Sequence, residues 1–149
     1  MTRGYFGIGI YNIKSEVNIG TLWRSAFQFG ASFIFTVGRR YSKQSSDTPN
    51  AIKHVPLLHY IDISDLLEHL PIDCPLIGIE TTGQDIRNLY HPERATYLLG
   101  AEDHGIPNNV LAQCHRVIGI PFSRIGSLNV AVAGSIVMYD RLVKQSRDC

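Results

Sequence analysis

Three groups of residues in this chain have the types and spacing to do chemistry. The first is Asn18-Ile19-Gly20-Thr21-Leu22-Trp23-Arg24. Arg24 offers a fixed charge and a planar fork of donors for phosphate or carboxylate, and a position early in a helix adds the positive end of the helix dipole. An ordinary capped helix with a surface arginine fits the same residues. The second group is Leu98-Leu99-Gly100-Ala101-Glu102-Asp103-His104-Gly105-Ile106-Pro107. Gly100 and Gly105 let a ligand approach the backbone, and Glu102 and Asp103 can hold a hydroxyl, an amine or a cation; a tight turn with solvated charges is the plainer reading. The third group is Ile120-Pro121-Phe122-Ser123-Arg124-Ile125-Gly126-Ser127-Leu128-Asn129-Val130. Ser127 can cap a following helix, which puts Asn129 in the first turn where asparagine gains little. A hydroxyl and an amide beside a helix N-terminus make a polar pocket with pre-aimed donors. None of the three fits the G-x-G-x-x-G or P-loop patterns.

The elements that must hold these groups alternate between strand and helix. Tyr5 to Ile10 reads as a buried strand whose glycines admit the close approach of another backbone. Asn18 then caps a helix with an apolar face of Leu22, Trp23, Ala26, Phe27 and Phe29, ended by Gly30, and Phe33 to Val37 is a second strand. Downstream, Ser64 or Asp65 caps a short helix through Leu70, and Leu76 to Glu80, Thr96 to Leu99 and Val117 to Ile120 are strands. Pro107 opens a helix through Leu111. Leu128 to about Val143 forms a last helix, apolar nearly all round and therefore in need of burial on more than one side. Such βαβ units imply one α/β domain with a parallel sheet, and ligands of such sheets bind beyond the carboxyl ends of the strands.

The chain has 149 residues, 44% hydrophobic and 18% charged, which suits a single globular core and argues against disorder. No run reaches the ~18 apolar residues of a membrane span, and the opening residues lack a signal-peptide apolar block. A soluble protein of the cytoplasm is expected. Cys74, Cys114 and Cys149 have no C-x-x-C spacing and the histidines are scattered, so neither a disulfide framework nor a metal site is expected. The net charge of +1 does not by itself announce a nucleic-acid partner. Its distribution says more: Arg39, Arg40, Lys43 and Lys53 stand in a polar stretch, Gly38 to Lys53, that reads as a long loop.

In this order, N-x-G-x-x-x-R, L-L-G-x-E-x-x-G-I-P and I-P followed by S-L-N-V-x-V-A resemble the signature motifs of the SpoU (TrmH-like) class of the SPOUT RNA methyltransferase superfamily. The resemblance runs from about Asn12 to the end of the last helix, and it looks like the bare catalytic domain of that class. It implies a parallel-sheet, three-layer SPOUT fold over residues 1–149 with a deep C-terminal trefoil knot. It also implies S-adenosyl-L-methionine (SAM) as cofactor, an RNA substrate (tRNA or rRNA) and a homodimer joined through the C-terminal helix. By motif, the cofactor would be surrounded by Leu99, Gly100, Ala101, Glu102, Gly105, Ile120, Pro121, Ser127 and Leu128, with Thr81, Thr82 and Gly83 as a further lining segment. Asn18, Arg24, Glu102, Ser127 and Asn129 would form the catalytic group, and Arg24, Arg39, Arg40 and Lys43 would meet RNA.

The reaction so implied is methyl transfer to a ribose 2′-hydroxyl, with base methylation and non-catalytic SAM or RNA binding as the rivals. A guanidinium is a poor proton acceptor, so Arg24 is expected to clamp phosphate and stabilise the developing alkoxide. Three departures stand in the third motif: Phe122 replaces a usual methionine, Arg124 stands where a glycine is expected, and Ala131 replaces a frequent serine. The stretch from Phe122 to Ser127 is also one residue shorter than usual.

Overall fold

The computed structural model describes residues 4–40, 49–101 and 104–147. Six strands form one sheet, all parallel, in the order β3-β2-β1-β5-β4-β6. They are β1 (Tyr5–Tyr11), β2 (Phe33–Val37), β3 (Leu57–Tyr60), β4 (Leu76–Asp85), β5 (Arg94–Gly100) and β6 (Arg116–Gly119). Helices α1 (Glu16–Phe29), α2 (Pro49–His54), α3 (Ile63–Glu68), α4 (Asn108–Leu111) and α5 (Val130–Arg147) complete a three-layer α/β fold. Alternation along β1 explains the layering. Phe6, Ile8 and Ile10 face a core shared with Ile19, Leu22 and Trp23 of α1 and Val137 and Met138 of α5. The opposite face, with Phe33, Phe35, Leu76 and Leu98, packs on Leu66 of α3 and Val110 of α4.

The glycines of β1 have a different cause from the one expected. A Cβ at Gly7 would collide with the ring of Phe33, and one at Gly9 with the ring and carbonyl of Phe35. Aromatic rings from β2 lie across the strand, so the room is taken chiefly by side chains. Several boundaries also differ. Asn18 is no cap: α1 starts at Glu16 after Ser15, and Asn18 lies buried inside its first turn. Asp62, rather than Ser64 or Asp65, caps α3 by accepting the N–H of Asp65. The stretch read as a loop to Lys53 contains α2, which Trp23 anchors by donating its indole N–H to the Val55 carbonyl at 2.7 Å. Strand β3 has no counterpart in the sequence pattern, because only four residues with a half-exposed face mark it. Strand β4 runs past Glu80: it leaves β6 after Ile79, makes an excursion, and pairs again at Gln84.

A polar cluster fastens α5 to the end of the sheet away from the strands' carboxyl edge. Buried His91 bonds the Tyr97 hydroxyl at 2.7 Å and Asp140 at 2.7 Å, and Lys144 pairs with the same carboxylate at 2.9 Å. Arg141 donates to the carbonyls of Pro92 and Glu93, and its guanidinium lies over the Phe6 ring. Burial raises the Tyr97 phenol to about 12, which keeps it a neutral hydroxyl. Burial also lowers the pKa of His91, more than the neighbouring Asp140 raises it. The fold therefore favours neutral imidazole, while the unfolded chain takes up the proton below pH ~6.5. Stability from this group is full above that value and declines as pH falls. Urea unfolding between pH 7.5 and 5 should show a decline that His91→Gln makes shallower; parallel curves for the two proteins would show that the folded state keeps the proton.

Candidate functional site

A cleft of about 420 Å³ opens beyond the carboxyl ends of β4, β5 and β6. Three chain segments wall it. Thr81 and Thr82 come from the β4 excursion, Leu99, Gly100, Ala101 and Gly105 from the end of β5 and its loop, and Ile120, Ser127 and Leu128 from the segment that leads to α5. The chain winds outward from β1 through β2 and β3, then crosses over so that β5, β4 and β6 lie on the other side of β1, and the cleft stands over the carboxyl ends of these last three strands, where ligands of open α/β sheets bind. The floor is apolar, with Ile79, Val130 and Ala133 beside Leu99 and Leu128, and the hydroxyls of Thr81, Thr82 and Ser127 supply polar groups.

The cleft's border with α5 is set by Asn129. Its Oδ1 accepts the N–H groups of Ala131 at 2.9 Å and Val132 at 3.2 Å, so Asn129, and not Ser127, caps the helix. The helix starts at Val130, two residues later than expected, which turns Asn129 from a poor first-turn residue into a favoured cap. Its Nδ2 meanwhile donates to Asn18 Oδ1 at 3.0 Å, across 111 residues of sequence. Ser135 repeats the link one and a half turns on, donating to Ser25 at 2.9 Å.

The expected residues therefore divide. Thr81, Thr82, Leu99, Gly100, Ala101, Gly105, Ile120, Ser127 and Leu128 share the cleft, whereas Asn18 and Asn129 do not line it and bond each other where the chain passes from Leu128 to Val130. Gly83 and Pro121 do not line it; Gly83 instead lies against the backbone of Val117 and Ile118. Arg24 is exposed on α1, outside the cleft lining, and makes no hydrogen bond or ion pair among the described residues. At 100° per residue it shares a stripe with exposed Val17 and Thr21, turned away from the Asn18 side. Arg39 and Arg40 are exposed after β2, where burial and the charge of Arg40 together lower the pKa of His59. Glu102 and Lys43 lie outside the described residues. Glu80, His104, Asn108, Leu111 and Phe122 also line the cleft, although sequence reasoning does not assign them to it. For Glu80 a signal exists: a carboxylate directly after a buried apolar run marks a strand's carboxyl end.

With this geometry established, comparison with known proteins identifies the family. The SpoU rRNA Methylase family model matches residues 6–139. The chain belongs to the SpoU rRNA methylase family. An uncharacterized tRNA/rRNA methyltransferase of Archaeoglobus fulgidus is 26% identical over 93% of this chain and 65% of its own length. A mouse tRNA (guanosine(18)-2′-O)-methyltransferase is 30% identical over 92% of this chain, which spans only 9% of that protein. Among solved structures, the A. aeolicus TrmH/SpoU tRNA modifying enzyme matches with a TM-score of 0.85 at 19% identity, covering 99% of this chain and 79% of that one. The AviRb methyltransferase of Streptomyces viridochromogenes, in complex with AdoMet, gives 0.83 at 19% identity, over 98% and 60%. These structural likenesses establish a shared fold.

Asn129 can be tested for its structural part alone. Asn129→Ala should destabilise the protein by about 0.5–2 kcal/mol in urea unfolding, as expected when an N-cap is removed, whereas Asn129→Asp keeps an acceptor at the helix N-terminus and should recover most of that loss. Equal losses for the two would mean that the Asn18 bond, rather than the cap, carries the stability.

Proposed function

We propose that this SpoU-family protein is a SAM-dependent methyltransferase acting on a ribose 2′-hydroxyl of tRNA or rRNA, in the cytoplasm, as a homodimer joined through α5. The observation that carries the reading is the meeting of the second and third motif segments with the β4 excursion at one cleft, while the Asn18–Asn129 bond ties the first motif to the residue between Leu128 and Val130 of its wall. Cleft and cofactor are compatible in kind: about 420 Å³ lies within the range of small-molecule sites, and an apolar floor with hydroxyls at the wall suits a nucleoside bearing a charged tail. When bound, SAM supplies an electrophilic sulfonium methyl. A deep trefoil knot at the C-terminal end belongs to the same reading. The AdoMet complex of AviRb and the mouse enzyme's named 2′-O activity support it from outside the chain.

In this reading Thr81, Thr82, Gly100, Ile120 and Leu128 hold the cofactor, with Leu99, Ala101, Glu102 and Gly105 around it. Asn18 and Asn129 fix the cleft border, and Ser127 and Glu102 orient the ribose. Arg24 clamps the adjacent phosphate and stabilises the oxygen as its proton leaves. Its exposed stripe with Val17 and Thr21 lies on the helix that packs beside α5, where Val132 and Tyr139 are also exposed, and a second copy would cover these apolar residues. Arg24 would then approach the cleft of the partner subunit. Arg39, Arg40 and Lys43 meet RNA phosphates further out.

Arg24→Ala should abolish methyl transfer while SAM affinity stays within a few-fold, and Arg24→Lys should fail nearly as badly because an ammonium cannot make the two-pronged contact. Calorimetry with SAM and single-turnover methylation at saturating RNA read the two effects separately. Mapping of the labelled methyl group decides between ribose and base. Arg39→Ala with Arg40→Ala should chiefly weaken RNA binding and flatten its salt dependence, by about 0.7–0.9 in log–log slope for each phosphate no longer neutralised. Near-normal turnover by Arg24→Ala would remove Arg24 from the mechanism.

A further inference from the structure

We propose that Glu80 is a positioning residue that latches the two loops flanking the cleft, an inference whose consequence for SAM rests on reading the cleft as a cofactor site. Glu80 stands where β4 leaves β6 for its excursion. Its Oε2 accepts the Ile106 N–H at 2.9 Å, and its Oε1 accepts the Thr81 N–H at 3.2 Å. One carboxylate thus joins the β4 excursion to the loop that follows β5. That loop is folded back on itself: Ala101 bridges antiparallel to Gly105, whose N–H reaches the Ala101 carbonyl at 2.9 Å.

The glycines of this loop are matched to the latch. Gly105 has φ +61, and a Cβ there would fall on Glu80 Oε2. A Cβ at Gly100 would fall on the backbone of Gly105 and Ile106. The space that these residues leave is filled by the carboxylate and by the returning chain. Ile106 is itself buried, and its N–H would be left without its acceptor if the carboxylate withdrew. A hydrogen bond to a charged acceptor is about twice as strong as a neutral one, which makes this contact a strong tie on an otherwise glycine-weakened loop. Fixing the loop before ligand arrives removes an ordering cost from binding, and the loop carries Gly100, Ala101 and Gly105 into the cleft wall. Glu80 acts through the loop whose Ile106 N–H it holds.

Two substitutions separate reach from charge. Glu80→Asp keeps the charge but shortens the side chain by one methylene, so it no longer reaches Ile106; Glu80→Gln keeps the reach and a carbonyl acceptor. Amide hydrogen exchange on the ligand-free protein should show the Ile106 N–H protected in wild type and Glu80→Gln, and exchanging about 10- to 100-fold faster in Glu80→Asp, the equivalent of one charge-assisted hydrogen bond. SAM affinity, read by calorimetry, should fall by a similar factor in Glu80→Asp and by less than tenfold in Glu80→Gln, with turnover at saturating SAM changed by only a few-fold. Unaltered exchange at Ile106 in Glu80→Asp would overturn the latch whatever SAM does. Tighter SAM binding by Glu80→Asp than by Glu80→Gln would also overturn it, since the carboxylate would then act on the ligand through its charge. Absence of SAM binding in wild type, with the exchange pattern as expected, would instead sink the cofactor reading and leave the latch standing.

Discussion

The amide of Asn129 is the interaction on which the arrangement depends, because it satisfies two demands with opposite ends of one side chain. Its oxygen closes the free N–H groups at the start of α5, and its nitrogen reaches Asn18 in the first turn of α1. Helix N-termini need acceptors, and the partner of the amide nitrogen, Asn18, is buried and needs its carbonyl oxygen satisfied. Only where α1 and α5 start side by side do these needs coincide. The pairing Asn18–Asn129, then Ser25–Ser135, then Phe29 against Tyr139 shows the two helices running together from that point. Once α5 is so placed, the segment from Ile120 to Leu128 must cross the carboxyl edge of β4 and β5, and the crossing forms the third wall of the cleft.

The far end of α5 is held by a different chemistry. His91, Asp140, Lys144 and Arg141 tie it to the chain between Ile86 and Glu93, with Lys144 donating to the carbonyls of Ile86 and Leu89. These are the residues that directly follow the β4 excursion. One helix therefore braces the cleft at its amide-capped start and steadies the return of a cleft-forming strand near its charged end. Such charge-assisted contacts to backbone carbonyls bind irregular chain that has no ladder of its own.

What the sequence discloses follows from which forces are local. Alternation in Phe6, Ile8 and Ile10, and the helical face of Leu22, Trp23 and Ala26, depend only on neighbours, and they mark the first strand and helix correctly. The three motif groups stand out because they follow strand ends, and residues of the second and third meet at the cleft, whereas the first lies outside its lining. Cap identities at both α1 and α5 differ from expectation by a few residues, since an asparagine reads alike as cap, core amide or site residue until its partner 111 residues away is known. Glu80 is hidden for the same reason: its acceptor role is defined by Ile106, on another strand's loop. The four-residue edge strand β3 carries too short and too exposed a pattern to be seen.

The structure also separates two surfaces that the motif order runs together. Asn18 and Arg24 belong to one motif, yet six residues of helix turn them to different sides, Asn18 inward to α5 and Arg24 outward beside Val17. The two side chains therefore meet different surroundings, α5 for Asn18 and solvent for Arg24. The inward residue is fixed by packing and costs stability if changed, whereas the outward arginine has no partner to lose among the described residues. A fixed charge on a long side chain, held in water beside exposed apolar residues, gains its full strength only when another surface excludes that water. The separation leaves Asn18 in the packing between α1 and α5 and Arg24 on the exposed face of α1, outside the cleft lining.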